Sequence, residues 1–149
     1  MKILYGVQAT GNGHITRART MARELAVSGI EVDYLFSGRP CNELFNMEPF
    51  GGFDCLRGMT FVTEQGRVRN LHTLMHNNYP GFIGEVRSLD LSPYDLVITD
   101  YEPVSAWAAR LQGRCSVGIG HQYAFSHDIP INGDNLVTRL VMKSFAPAA

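Results

Sequence analysis

Apolar positions along this chain recur with two periods. Residues 2–8 form a short apolar run that empties into Gln8-Ala9-Thr10-Gly11-Asn12-Gly13-His14, the pattern of a buried strand running into a glycine-rich loop. From there Ile15, Ala18, Ala22, Leu25 and Ala26 fall at helical spacing, and Gly29 supplies the usual stop. Residues 30–36 are again a strand. Strand, helix and strand in so short a span predict a βαβ unit with parallel neighbouring strands.

The later chain repeats the theme. Pro40 suits the first turn of a short helix with Leu44 and Phe45 on one side. Residues 53–69 read as one or two strands with a turn at Gln65-Gly66. Leu71, Leu74, Met75, Phe82, Val86 and Leu89 mark a long helical stretch that Pro80-Gly81 should break or kink. Residues 95–100 are a buried strand, Pro103 to Leu111 a helix stopped near Gly113, and Cys115 to Gly120 a further strand. Leu136, Val137, Leu140, Val141 and Phe145 suggest a last amphipathic helix after a polar loop. The alternation predicts an α/β domain: a Rossmann-like open, mostly parallel sheet with helices on both faces. Ligands of such sheets bind at the carboxyl ends of the strands. That directs attention to residues 8–16, 37–39, 100–102 and 121–123.

Composition narrows the class. The 149 residues suit one domain, and a formal net charge of -1 argues against a nucleic-acid binder, which needs a basic surplus. No apolar run approaches a membrane span, and the opening residues turn polar too soon for a signal peptide. The three cysteines, Cys41, Cys55 and Cys115, are widely spaced without a CxxC and are expected to be reduced and mostly buried. The expected compartment is the cytoplasm.

The first loop carries the most chemistry. Gly11 and Gly13 let a backbone approach a ligand closely, and the helix start behind them favours negative charge. A phosphate-binding P-loop would need Lys-Ser/Thr where Asn12-Gly13 stand. A dinucleotide fingerprint would need a glycine at Thr16, although Asp33 lies at about the right distance onward. A polar sugar or lipid-phosphate acceptor against the loop is the third reading. His14 is then either a solvated capping residue or a base that takes a proton from an acceptor hydroxyl. Asp100 and Glu102 either cap the helix at Pro103 or face the cleft, where Asp100 would orient the histidine and Glu102 would bind sugar hydroxyls. His121 and Gln122 should surface at the same rim. Arg17 and Arg19 read as solvated, with Arg17 in reach of an anionic acceptor, and His127-Asp128 as a plain loop feature. No spacing supports a metal site, and no Gly-x-Ser-x-Gly elbow supports an acyl-transfer hydrolase.

Gly11-Asn12-Gly13-His14 followed by Thr16-Arg17-Ala18 resembles the first loop of GT-B glycosyltransferases. It is similar to that of the lipid-linked N-acetylglucosaminyltransferase of peptidoglycan synthesis, and more so to that enzyme's uncharacterised bacterial and archaeal relatives. Gly113–Gln122 is similar to the strand that leads to a histidine–glutamine element in the same group. The chain departs from the peptidoglycan enzyme in lacking its longer glycine run. The resemblance implies one half of a GT-B fold performing an inverting transfer from a nucleotide-sugar co-substrate, with no other cofactor and no protein-held metal. It implies that the acceptor, a sugar or a lipid-linked sugar, binds mainly to this N-terminal domain over residues 1–149. The donor would bind mainly to a C-terminal domain absent from the chain, so that the isolated domain is inactive. By position, His14 and Asp100 would be catalytic, and Gly11, Asn12, Gly13, Thr16, Arg17, Glu102, His121 and Gln122 would contact substrate. Peripheral membrane contact stays open. The competing readings are a non-catalytic nucleotide or sugar-nucleotide binding module and a fragment of an NAD-type oxidoreductase.

Overall fold

The structure, a computed structural model, describes residues 1–60, 63–64, 67–68, 77–126 and 143–147. The Gln65-Gly66 turn, Leu71 to Met75, His127-Asp128 and the stretch from Leu136 to Val141 lie outside the described residues. Five strands form one parallel sheet: β1 (Lys2–Gln8), β2 (Glu31–Ser37), β3 (Phe53–Cys55), β6 (Leu96–Asp100) and β7 (Ser116–Gly118), in the order β3-β2-β1-β6-β7. A separate antiparallel pair joins β4 (Thr63–Glu64) to β5 (Arg67–Val68). Helices α1 (Asn12–Val27), α2 (Tyr79–Ser88) and α3 (Pro103–Leu111) accompany them.

The alternation along β1 decides the layers, because successive side chains leave a strand on opposite faces. Ile3, Tyr5 and Val7 meet Ile15, Ala18 and Ala22 of α1, with Tyr34 and Phe36 of β2. Leu4 goes to the other face with Leu35 and Val97, where Val86 of α2 and Val104, Ala108 and Ala109 of α3 cover it. Both faces are therefore sealed, as an all-parallel sheet requires. Strand order reverses direction between β1 and β6, which makes their carboxyl ends the switch point of the fold. Pro80 occupies the first turn of α2, where its missing N–H costs nothing, and the Asn78 side chain caps Gly81 N–H.

Gly6 shows how tightly α3 is laid on the sheet. A Cβ there would fall on Ser105 Oγ, lie 2.8 Å from Ser105 Cβ and 3.0 Å from a Glu102 carboxylate oxygen. The start of α3 can approach β1 this closely only because Gly6 has no side chain.

The cysteine expectation is overturned. Cys41, in the short 3-10 turn after β2, is bonded to Cys55 at the end of β3, and Cys115 is free and exposed. No cysteine is buried. A bond between residues this far apart in sequence leaves no short motif to read. It ties the short edge strand β3 back to the chain leaving β2. The cytoplasmic expectation loses the support it drew from reduced cysteines. Among the described residues no helix is long and apolar enough to cross a membrane.

Two stability changes follow from this packing. Gly6→Ala should lower the unfolding free energy by about 1–3 kcal/mol, the usual cost of overfilling a packed interior, read as a lower urea midpoint at unchanged slope. Opening the Cys41–Cys55 loop by the double change to serine should cost roughly 3 kcal/mol on chain-entropy grounds; identical midpoints for the two proteins would show that the bond restrains nothing.

Candidate functional site

Asp100 ends β6 beside Val7 of β1, and its carboxylate is withdrawn from solvent. A buried carboxylate needs donors, and two come from one helix face. His14 and Arg17, three residues apart on α1, point the same way, as that spacing dictates. His14 Nδ1 lies 2.5 Å from Asp100 Oδ1. Arg17 grips both oxygens, Nε at 2.8 Å from Oδ2 and Nη2 on Oδ1. Tyr5 OH adds a longer contact to Oδ2 at 3.4 Å. Burial alone would raise the Asp100 pKa; the hydrogen bonds and charges of Arg17 and His14 outweigh it and hold the carboxyl below its ordinary value. The same pairing raises the Arg17 pKa, and burial together with the Asp100 charge raises that of Tyr5.

This geometry sets the histidine tautomer. Nδ1 has two neighbours, Asp100 Oδ1 at 2.5 Å and Arg17 Nη2 at 3.0 Å. The closer is an ionised carboxylate that only accepts, so this nitrogen carries the proton, and a neutral ring then keeps its lone pair on Nε2. Nε2 lies 3.3 Å from Gln122 Nε2, in range of a weak donation from the amide. The His14 side chain keeps 15% of its surface exposed. The arrangement can accept a proton at Nε2 while Asp100 holds the ring and stabilises the imidazolium that results.

The turn after Asp100 sorts two acids into two roles. Tyr101 takes a left-handed conformation (φ 54°) uncommon for a residue with a side chain, and its buried ring packs on Tyr123 and Phe145. The turn carries Glu102 under α3 rather than into the cleft. Glu102 is fully buried, caps Val104 N–H at 2.8 Å and Ser105 N–H at 2.6 Å, and accepts from Ser37 Oγ at 2.5 Å. Burial raises its pKa against the pull of those bonds. The expected sugar contact at Glu102 is corrected: its oxygens are committed to the helix start.

The other expected residues divide as follows. Gly11, the N-cap of α1, and Asn12 and Gly13 in its first turn are exposed, and nothing lies within 4 Å of where a Cβ would stand on either glycine. Asn12 Oδ1 accepts from Arg39 Nη1 at 3.0 Å. Thr16 is exposed on the next turn, and His121 is exposed at the head of the 3-10 turn that places Gln122. Arg17 and Arg19 are not free surface charges: Arg17 clamps Asp100, and Arg19 donates to the carbonyls of Phe45 and Asn46. The Arg17 clamp joins positions 83 residues apart, and only a buried acid facing that helix could have signalled it. Asp33 bonds Lys2 and Tyr94 near the amino ends of the strands, far from where a dinucleotide ribose would lie. Among the described residues no three His, Cys, Asp or Glu side chains gather as a metal site.

Comparison with known proteins fits this layout. The family described as glycosyl transferase family 1 matches residues 1–149. No curated protein sequence matches. Among solved structures, the glycosyltransferase VinC in complex with DTDP aligns over 100% of this chain and 45% of its own, at 14% identity and a TM-score of 0.51. MurG of Acinetobacter baumannii aligns over 78% of this chain and 33% of its own (18% identity, TM-score 0.46). The glycosyltransferase SsfS6 of Streptomyces sp. SF2575 aligns over 79% and 38% (16% identity, TM-score 0.41). The chain thus spans less than half the length of these enzymes. With a parallel α/β sheet of this order and a profile match over its whole length, the chain belongs to glycosyl transferase family 1 and has the Rossmann-like fold of one GT-B half.

Proposed function

We propose that this chain is the N-terminal, acceptor-side half of an inverting glycosyltransferase and that His14 is its base. The observation that carries the reading is the His14–Asp100 pair at the switch point, with Nδ1 committed to the carboxylate and Nε2 beside Gln122 on a side chain that keeps 15% of its surface exposed. The acceptor hydroxyl gives its proton to His14 Nε2 as its oxygen bonds the anomeric carbon of the donor sugar. The bond from that carbon to the phosphate breaks, and the nucleoside diphosphate leaves with the electron pair. Asp100 is a positioning residue: it fixes the tautomer and offsets the charge that forms on the ring. Arg17 keeps Asp100 ionised.

The exposed first turn of α1 supports the other half of the step. Free amides at a helix start attract negative oxygen, and Gly11 and Gly13 leave room for it. Thr16, His121 and Gln122 frame the same rim. A nucleotide-sugar is the co-substrate, consistent with the nucleotide in the VinC complex, and no resident cofactor takes part. The donor would bind chiefly to a second α/β domain, which fits the chain's spanning 45% of VinC. The 149-residue chain alone is then inactive.

Assayed in the complete protein by nucleoside diphosphate release, His14→Ala should lower kcat about a hundredfold or more, the scale of a lost general base, with little change in donor KM. An unchanged kcat would remove His14 from the chemistry. Arg17→Gln should unfold more easily by about 2 kcal/mol at pH 7. That is less than a fully buried pair would lose, since 35% of the Arg17 side chain meets solvent. Because the folded pKa of Asp100 is lowered, its share of stability is present above the ordinary carboxylate value and fades as pH falls through the folded one. Urea midpoints between pH 3 and 6 should therefore rise with pH in the parent and rise less in Arg17→Gln.

A further inference from the structure

A cavity of about 510 Å³ opens on the far side of the first loop from His14, between the carboxyl ends of β2 and β3. Arg39 and Arg57 stand in its wall, and none of its lining residues is Asp or Glu. Arg39 spends two N–H groups on neutral oxygens, Asn12 Oδ1 and the Thr10 carbonyl, both at 3.0 Å. A guanidinium has five such donors, so among the described residues no carboxylate pairs its charge and three donors are left over. Arg57 makes no side-chain hydrogen bond or ion pair among the described residues. The nearby Glu85 carboxylate is already taken by the backbone N–H groups of Arg57 and Gly58, at 2.8 and 2.9 Å. Two cations therefore line one hollow with no acid among its described lining residues, the Glu85 carboxylate lying behind the Arg57–Gly58 backbone.

Pro40, Leu56 and the Cys41–Cys55 bond give the wall an apolar side, and Asn77, whose amide bonds the Thr60 backbone, gives it a polar one. Thr60 adds a hydroxyl, which pairs with Thr10 Oγ1 at 2.9 Å and so links the cavity to the first loop. The volume suits a small molecule rather than a lone ion. Two guanidiniums match a dianion; a single carboxylate would leave one unmatched, whereas a phosphate carries the second charge and offers the fork bidentate oxygens.

We propose that this cavity is a phosphate site, in which Arg39 and Arg57 hold a phosphate of the acceptor while its apolar part lies along Leu56, Pro40 and the disulfide. That the phosphate belongs to the acceptor rests on the transferase reading above; the site itself does not. Adjacent strands are roughly 5 Å apart, so a ligand held at the β2 and β3 tips reaches His14 across two or three strand spacings. The acceptor class is then a phosphorylated molecule whose reacting hydroxyl lies a sugar ring or so from its phosphate.

The probe is inorganic pyrophosphate, titrated into the chain by calorimetry, with acetate as the monoanion control and NMR following the amides of Gly38, Arg57, Gly58 and Thr60. Sedimentation with phosphatidylcholine vesicles, with and without phosphatidic acid, tests a lipid-borne phosphate. Pyrophosphate should bind, shift those amides, and bind at least about tenfold more weakly to Arg57→Gln and to Arg39→Gln, the loss expected for one charge-assisted donor. Because Arg57 is exposed, its variant keeps the fold; Arg39 also braces the loop, so the Arg57 result decides. Vesicle binding that needs phosphatidic acid and is lost in Arg57→Gln would assign the phosphate to a lipid headgroup and keep the site. The site is overturned by an unchanged affinity in Arg57→Gln, by equal binding of acetate, by shifts confined to the start of α1, or by no binding of either probe. His14→Ala should leave pyrophosphate affinity intact. A failed turnover test and a failed phosphate test are thus separate results.

Discussion

A carboxylate with no access to water has to be answered by charge and donors from its surroundings, and the Asp100 carboxylate governs how this domain is assembled at its working end. Arg17 answers most of it, and His14 and Tyr5 supply the rest. Arg17 and His14 sit on α1, so the helix is fixed in rotation and in height against the β1 and β6 tips. With α1 fixed, its first turn is fixed, and so are the exposed amides at Gly11 to Gly13. The imidazole cannot turn to offer its other nitrogen without giving up the carboxylate. One buried charge thus determines which histidine nitrogen is left to accept a proton.

The same economy of space runs beneath the site. Asp100 and Glu102 flank Tyr101, whose left-handed backbone sends the two acids in different directions. One carboxylate meets Arg17 and His14 of α1; the other goes under α3 and meets amides. Glu102 then locks the start of α3 to Ser37 at the end of β2. The missing side chain of Gly6 lets that helix start lie against β1. The tips of β1, β2 and β6 are therefore held by one connected set of bonds, which is what a pre-organised site requires.

Much of this was legible in the residues, for identifiable reasons. β1, β2, β6 and α3 were readable because a parallel sheet covered on both faces writes near-continuous apolar runs, and Gly and Pro punctuate them. His14 and Asp100 were findable because the carboxyl ends of such strands are where ligands bind. What escaped was non-local. Nothing near Arg17 in the chain announces an acid 83 positions away, and Cys41 and Cys55 have no spacing motif. Glu102 failed for a different reason: capping and cleft contact predict the same residue type at the same position. Only the backbone turn at Tyr101 separates the two. The helix at Asn12 begins before the apolar stripe at Ile15, because glycine and asparagine at its start carry no apolar signal.

The first loop is where the two halves of the proposed chemistry meet. Its helical end carries His14, committed to Asp100. Its strand end carries Thr10, which bonds Gln8 and Thr60, and its middle carries Asn12, held by Arg39. Arg39 therefore touches both the loop and the cavity. An anion drawn to Arg39 would compete for donors that now brace Asn12 and the Thr10 carbonyl, or else use the three that remain. In the first case filling the cavity loosens the loop; in the second it stiffens Arg39 and the loop with it. The second fits the geometry better, because neutral oxygens leave the guanidinium charge unpaired and its spare donors can be engaged without giving up a bond to the loop. Phosphate binding would then steady the turn that presents His14. A molecule with its phosphate in the cavity and its hydroxyl at Nε2 would make two contacts on a single braced loop, and a compound lacking the phosphate would find the base in place but the loop less firmly held.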